Sequence, residues 1–551
     1  MPNQALGQRL VEAGAITPDQ LRIALIEQQR QHQPLGKLLH RLGFASEKGV
    51  IDSLSSQLSL KRFDADQHAN LPGASTWIPE TLARRLHILP LAWDEATSRL
   101  TLASAEPHDP LLQQSLVSHL PAHFSLDVLL ASESEIEHGL EQLYGHQLSI
   151  DSILKEIEGR QLIEVISGDS PAVRLLDALL ADAVREQASD LHLEPERASL
   201  RIRYRVDGLM RTVRTLHKST WPALCSRIKV LAGMNIAESR APQDGHFSER
   251  IASRQIDFRV SSQPTIHGEN IVLRLLDREK GITPLENLGL TASELSQLAA
   301  LLERPDGLLL VTGPTGSGKT TTLYSLLNRL NQDDRHIMTL EDPVEYPLPL
   351  IRQTSLSDNV KLDFAGGVRA MLRQDPDILL IGEIRDAETA HMALRAALTG
   401  HQVFATLHAA NTFSALSRLH ELGVSLPMLH GNLNGIIAQR LVPRLCPDCR
   451  TFRPATEEEA QRYSLQQTPV AHGCPKCRQQ GYLGRIPVLE ILSFDSTLDL
   501  LLAADSPLPE FIQHARQQGF RRLADKALSL VESGLSTLEA VSRVINLDDR
   551  G

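Results

Sequence analysis

The chain has 551 residues, too many for a single core, and ordinary domain sizes divide it into roughly three or four domains. With 42% hydrophobic and 22% charged residues it has the balance of a soluble globular protein, and no apolar run approaches the ~18 residues needed to span a bilayer. A formal net charge of −11 disfavours a broad nucleic-acid surface, which needs clustered Lys and Arg, and leaves room for a local basic channel.

The first residues, Met1 to Gly7, lack the basic start and long apolar stretch of a secretory signal, so the cytoplasm is the expected compartment and any membrane contact is expected through partners. The opening 60 or so residues read as helices. Leu6, Leu10 and Val11, then Leu21, Ile23, Ala24 and Leu25 after the turn at Gly14, recur at helical spacing, and Thr17-Pro18-Asp19-Gln20 is a helix start. Leu35, Gly36, Leu39 and Gly43 repeat the L-G-x-x-L-x-x-x-G spacing of Leu6, Gly7, Leu10 and Gly14, a weak internal repeat. Farther on, Ile88 to Ala92 and Leu100 to Ala103 predict strands, and Glu133 to Tyr144 a closing helix.

Residues 146–168 are polar and suit a linker between an N-terminal docking or regulatory domain, 1–145, and a second domain, 169–283. That second domain opens on the periodic helix Ala172 to Glu186 and continues in alternating strands such as Leu200 to Val206, with a turn at Asp207-Gly208. Cys225, inside the amphipathic stretch Trp221 to Ala232, reads as a small buried hydrophobe. A third domain is expected over 284–497 and a helical tail over 498–551.

Within the third domain, the apolar strand Leu308 to Thr312 runs into Gly313-Pro314-Thr315-Gly316-Ser317-Gly318-Lys319-Thr320, the pattern G-x-x-x-x-G-K-[ST]. The glycines let successive N–H groups turn inward around an anion, and the helix predicted over Thr321 to Leu330 adds its positive end. Lys319 is placed to reach the outer phosphates of ATP, and the Thr320 hydroxyl is the expected Mg²⁺ ligand. Average residue usage gives the bare pattern by accident roughly once in fifty chains of this length, so the flanking strand and helix decide for a nucleotide site.

Two further strands carry acids toward the same edge. Ile378 to Ile381 ends in Gly382-Glu383, the layout of a Walker B strand with glycine in the usual aspartate's place, and His336 to Leu340 ends in Glu341-Asp342-Pro343-Val344-Glu345. One of these carboxylates would orient the attacking water. Four of the five cysteines form the pairs Cys446/Cys449 and Cys474/Cys477 at two-knuckle spacing. A redox role needs only one such pair, so tetrahedral Zn²⁺ is expected; four thiolates fill its sphere and make the site structural.

These residues stand in the order of the secretion-ATPase superfamily, the hexameric motors of type II secretion and type IV pilus assembly, and the chain resembles that family over nearly its whole length. Leu372-Arg373-Gln374-Asp375-Pro376-Asp377 followed by Gly382-Glu383-Ile384-Arg385-Asp386 is similar to the signature L-R-x-x-P-D…G-E-x-R-D. Thr339 to Glu345 resembles the aspartate box, and Thr399-Gly400-His401 with Thr406-Leu407-His408 the histidine box. Ala438-Gln439-Arg440-Leu441 leads into the cysteines as in family members. Upstream, Ala188 to Pro195, Arg240 to Gly245 and Phe258-Arg259-Val260-Ser261 resemble the family's second domain.

The resemblance implies a RecA-like α/β P-loop ATPase domain with a zinc-binding insertion, preceded by a PAS-like α+β domain and a mostly helical N-terminal domain. It implies a homohexamer that hydrolyses ATP, held between the second and third domains, and works on inner-membrane platform proteins. It assigns Lys319, Thr320 and Glu383 to phosphate and Mg²⁺, and Glu345, with Glu341 as the alternative, to the attacking water. His408 is assigned to the γ-phosphate, and Arg259, Arg274, Arg369 and Arg373 to guanidinium groups around the nucleotide. Family members commonly have arginine where this chain has His246. The four-cysteine module favours an assembly motor over a retraction motor. First domains of the family dock on an inner-membrane partner or bind cyclic di-GMP through R-L-G-x-x-L. Here Ala5 and Pro34 replace both arginines, with Arg9 nearby, so docking is the favoured expectation. Type II secretion is the expected system, type IV pilus extension the alternative, and an ATP-gated scaffold with little hydrolysis the reading from another class.

Overall fold

The computed structural model describes residues 2–31, 33–58, 60–64, 77–95, 97–107, 110–117, 120, 124–144, 150, 153–154, 171–251, 254–277, 282–356 and 363–549. Most of the expected linker, 146–168, lies outside them. The chain divides into two compact units, Met1–Tyr204 with Arg211–Asp277, and Arg205–Met210 with Arg278–Gly551.

The first unit begins with the helices Pro2–Glu12, Pro18–Gln31, Leu35–Arg41 and Glu47–Leu58. Its repeated glycines have a packing reason. A Cβ on Gly7 would lie 2.4 Å from a Leu21 methyl, and one on Gly36 would lie 2.7 Å from a Val50 methyl, so each repeat closes a helix pair at the same step. Leu6 and Leu10 of one repeat and Leu35 and Leu39 of the other share one small core. Next comes a three-stranded sheet of β1 (Ile88–Asp94), β2 (Arg99–Ser104) and β3 (Ser125–Leu130), antiparallel between β1 and β2 and parallel between β2 and β3. The helix Glu133–Tyr144 packs on it, with Gly139 against Leu89.

The same unit holds most of a six-stranded sheet built from β4 (Asp190–Pro195), β5 (Ser199–Val206), β6 (Leu209–His217), β7 (Gln243–Ile251), β8 (Arg254–Thr265) and β9 (Gly268–Asp277), ordered β6-β5-β4-β9-β8-β7. The helix Pro171–Arg185 buries Leu175, Leu176, Leu179, Leu180 and Ala183 at 3–4-residue spacing. In the helix Trp221–Leu231, Lys229 is 1% exposed and pairs at 2.5 Å with Glu269, while its Nζ donates to the Glu238 carbonyl at 2.6 Å. Cys225 is buried beside this pair, and burial together with the Glu269 charge pushes its thiol up to about 12, which leaves it inert.

The second unit centres on a seven-stranded sheet of β10 (Gly307–Thr312), β11 (Ile337–Glu341), β12 (Arg352–Ser355), β13 (Ile378–Ile381), β14 (Gln402–Leu407) and β15 (Leu433–Leu445), with β16 (Arg450–Pro454) and β17 (Gln467–Ala471) forming a separate hairpin before the last strand, β18 (Tyr482–Ser493). The order is β12-β11-β13-β14-β10-β15-β18, parallel throughout except for the antiparallel edge β18. Every residue of β10, β13 and β14 is buried, which is why these strands read as unbroken apolar runs rather than alternating ones. Helices cover the sheet, among them Lys319–Leu330, Phe364–Met371, Ala387–Leu398 and Thr412–Glu421, and Ser496–Ala503, Leu508–Gln517, Leu523–Glu532 and Leu538–Ser542 follow β18. No helix among the described residues is long and apolar enough to cross a membrane.

Candidate nucleotide site and four-cysteine cluster

Parallel strands deliver their carboxyl ends to one edge of a sheet, and ligands bind there. The strand β10 therefore opens into the loop 313–318 beside the end of β14, which carries His408, while β13 delivers Glu383 next to β14. Gly313 has φ +153°, and a Cβ there would fall 2.5 Å from the Gln439 carbonyl oxygen; Gly318, at φ +87°, would meet the Gln439 amide at 2.8 Å. The loop thus lies flat on β15, and only glycine fits at those two contacts. The helix Lys319–Leu330 starts directly behind it, so its unpaired N–H groups face the loop. The Ser317 hydroxyl is buried inside the turn without a hydrogen-bond partner, a polar group that a bound phosphate chain is suited to satisfy.

Lys319 Nζ donates to the Gly313 carbonyl at 2.7 Å and to Pro314 O at 3.2 Å. Burial lowers its affinity for the proton, the Glu383 carboxylate works the other way, and the positive charge of Arg440 lowers it further. His408 bridges the same loop to the acid: Nδ1 lies 3.2 Å from Gly313 O and Nε2 lies 3.1 Å from Glu383 Oε1. Both partners are acceptors, so the bridge is complete when both ring nitrogens carry hydrogen. Arg385 then closes a second link, its Nε 2.6 Å from Glu383 Oε2 and its Nη1 3.1 Å from Asp342 Oδ2. Lys319 and His408 meet at one carbonyl oxygen, His408 links that oxygen to Glu383, and Arg385 holds the far side of the acid.

Other expected site residues are placed differently. Glu341 is 5% exposed at the end of β11, where Tyr324, Thr339 and Gln353 donate hydrogen bonds to it. Burial raises its carboxyl above the usual range against those hydrogen bonds. Glu345 follows four residues later, half-buried. Arg369 pairs with Glu388 at 3.0 Å, and Arg373 donates to the Arg369 carbonyl at 3.0 Å, both on the helix Phe364–Met371 or just beyond it. Arg259 and Arg274 belong to the first unit. They stand opposite each other on β8 and β9, in a cross-strand row with His246 on β7 and Asp190 on β4, and Arg274 Nε lies 3.1 Å from Asp190 Oδ1.

Two residues carry more than the sequence announced. Gln439, 2% exposed on β15, donates through Nε2 to Ser317 O at 2.8 Å and accepts from Thr322 Oγ1 at 2.8 Å, fastening the phosphate loop to its helix. Asp386, in the G-E-x-R-D signature, caps the helix Ala387–Leu398 by accepting from Thr389 N at 2.8 Å, so one acid of that motif does a backbone task. A polar residue amid an apolar strand pattern was the available signal for Gln439, and a helix start three residues before an N–H was the one for Asp386.

The Sγ atoms of Cys446, Cys449, Cys474 and Cys477 all lie within 4.8 Å of one another. Zn–S bonds of ~2.3 Å at tetrahedral angles set S···S edges of about 3.8 Å. Cys446–Cys474 is 3.8 Å, and both Cys449–Cys477 and Cys474–Cys477 are 3.7 Å. Backbone N–H groups of Cys474 and Gly481 donate to Cys477 Sγ at 3.1 and 3.2 Å. Burial pushes that thiol up, but these donors and the neighbouring thiols bring it down to about 6, while burial and hydrogen bonds to the same thiols push Cys449 up to about 12, so within the cluster it is Cys477 that favours the thiolate. The donor set fits a tetrahedral thiophilic cation.

Residues 166–543 match the family described as type II/IV secretion system protein, and residues 58–150 match the MshEN domain. The chain is 38% identical over 496 residues to the type II secretion system ATPase E of Vibrio cholerae, covering 85% of this chain and 96% of that protein. It is 35% identical over 564 residues to the type IV pilus assembly ATPase PilB of Myxococcus xanthus, covering 97% of this chain and 98% of that protein. Among solved structures, the Legionella pneumophila ATPase DotB aligns at a TM-score of 0.52 and 22% identity, covering 67% of this chain and 94% of that one, which shows a shared fold.

Proposed function

This chain belongs to the type II/IV secretion system protein family and is an ATPase of that family, and we propose that it hydrolyses ATP to drive pseudopilus assembly and protein export by a type II secretion system. One observation carries the hydrolytic half: at the carboxyl edge of a parallel sheet Lys319 and His408 both reach the Gly313 carbonyl, and His408 holds Glu383 on its other ring nitrogen. Lys319 binds the outer phosphates as a point charge, and the loop 313–318 holds them with backbone N–H groups. Thr320 and Glu383 would hold Mg²⁺, which when bound neutralises charge on the phosphate oxygens. His408, already in hydrogen-bond reach of both the loop and Glu383, reports on the γ-phosphate. Glu345 orients the attacking water; the engagement of both Glu341 oxygens by three donors supports that choice over Glu341. Arg259, Arg274, Arg369 and Arg373 stabilise spreading charge on the transferred phosphoryl group.

The assembly is a cytoplasmic homohexamer that acts on inner-membrane platform proteins, with the membrane reached through them. Zn²⁺ occupies the four-cysteine cluster in a structural role. The six-stranded sheet with its helices forms the PAS-like second domain, 169–283, between the N-terminal domain, 1–145, and the ATPase domain, 284–497, with helices over 498–551. The N-terminal domain docks on the platform; the MshEN match favours cyclic di-GMP as a competing ligand, although Ala5 and Pro34 stand where the binding repeat calls for arginine. Similarity to PilB makes type IV pilus extension the second reading of the motor.

Lys319→Ala in the native gene separates these readings. Exoproteins retained in the periplasm with pili intact is the expected result; loss of pili with secretion intact assigns the motor to pilus extension.

A further inference from the structure

Glu490 on β18 is 1% exposed, and its carboxylate is spent on the first turns of two helices. Oε1 accepts from Thr412 N at 2.9 Å and from Thr412 Oγ1 at 2.6 Å, at the start of the helix Thr412–Glu421. Oε2 accepts from Leu523 N at 2.9 Å, at the start of the helix Leu523–Glu532. Two helix N-termini therefore point their partial positive charge at one acid from different parts of the chain. The register pairs Glu490 with Ala438, so Arg440, two residues on, lies on the same face of the sheet as Glu490, and Gln439 lies on the face of the phosphate loop. Arg440 donates through Nη2 to the Ala410 carbonyl at 2.8 Å. A second tie runs parallel: Asp549 accepts from Asn411 Nδ2 at 3.4 Å and pairs with Arg522.

Burying a carboxylate costs several kcal/mol before its partners are counted, and an apolar residue in the same place packs without that cost. A buried acid with three donors in fixed directions gives something packing does not, one defined placement of the segments that donate. The donating segment at 412 follows His408 by four residues, and the intervening Ala410 is held by Arg440 from the same face. We infer that Glu490 is a positioning residue for the nucleotide site, locking the segment His408 to Thr412 to the C-terminal helix Leu523–Glu532 so that the histidine at the phosphate loop and the C-terminal helices shift together. The inference rests on the ATPase reading above and adds to it a route by which occupancy of the phosphate loop reaches the C-terminal helices.

The test uses the full chain and compares wild type, Glu490→Gln, His408→Ala and the double variant by steady-state ATP turnover and by amide hydrogen exchange. Glu490→Gln keeps one acceptor and loses the charge; kcat is expected to fall roughly tenfold with KM for ATP within about twofold. Added to His408→Ala it is expected to cause no further loss, because both act through one segment. Exchange is expected to quicken in 408–412 and 522–525 together. A folded Glu490→Gln with unchanged kcat, losses that multiply in the double variant, or exchange confined to 522–525 overturns the inference. Should Glu490→Gln not fold, Thr412→Ala removes the Oγ1 bond alone; about a threefold fall in kcat, absent in the His408→Ala background, is expected, and a multiplicative fall overturns it. A wild-type chain without turnover defeats the ATPase reading, and the exchange pattern then decides by itself whether Glu490 couples the two segments.

Discussion

The nucleotide sheet and the four-cysteine insertion lie in one compact unit yet are held together by different physics. In the sheet, β10, β13 and β14 are buried from end to end, and the site loops are the short connections leaving that core. In the insertion, four of the five residues of β16 are exposed and the helix Glu457–Tyr463 buries nothing. A hydrophobic core fixes the first; the second buries Leu465 and Thr468 but exposes most of β16 and its helix, and its four thiols cluster at the spacing a tetrahedral cation requires. Burial fixes the site loops, and in the insertion a cluster of four thiols is the feature that sets it apart.

Gly313→Ala strikes the comparison hardest. The added Cβ would meet the Gln439 carbonyl at 2.5 Å in a backbone conformation at φ +153°, so the loop must move off β15. Nucleotide affinity is expected to fall about 100-fold or more while the thermal unfolding of the sheet changes little; titration with a fluorescent nucleotide and a melting curve check both.

Cys446→Ser, or a strong chelator, acts on the other region. Metal analysis is expected to give about one Zn²⁺ per wild-type chain and none in the variant, and limited proteolysis is expected to open 446–481 while the sheet stays resistant. Wild-type protein free of metal, with its cysteines oxidised in pairs, would show that disulfides hold the module instead.

A smaller effect comes with acid. Arg453 grips Glu459 through two hydrogen bonds, 2.8 and 2.6 Å, and with the Thr456 cap lowers its carboxyl to about 2. Because the folded value is depressed, this contribution is complete above the ordinary value near 4.5 and is lost as pH falls from about 4.5 toward 2. At a partly exposed pair it amounts to about 0.5 kcal/mol, measurable as a difference in acid sensitivity between wild type and Arg453→Met.

Much of this arrangement was legible in the residues. Unbroken apolar runs ending at Gly313 and Gly382 mark buried parallel strands that open at a ligand edge, and the glycine spacing of the N-terminal repeat marks helix pairs closed at Gly7 and Gly36. What stayed hidden depends on distant parts of the chain meeting. Gln439, known only as part of the segment Ala438 to Leu441, and Glu490, a lone acid in an apolar strand, show no task until β15 comes to lie between β10 and β18, which puts one under the phosphate loop and the other between two helix starts. Arg369 and Arg373 carry a family assignment, but their partners, Glu388 and the Arg369 carbonyl, are set by local packing that spacing does not encode.

The most direct test of the central claim is phosphate release from MgATP by the full-length chain, measured beside Lys319→Ala and Glu383→Gln with nucleotide binding followed in parallel. Turnover by wild type, its loss by two or more orders of magnitude in both variants and nucleotide binding kept in Glu383→Gln are the expected results. Binding without turnover in wild type, or turnover that survives Glu383→Gln, would contradict a hydrolytic site built on Lys319, Glu383 and His408.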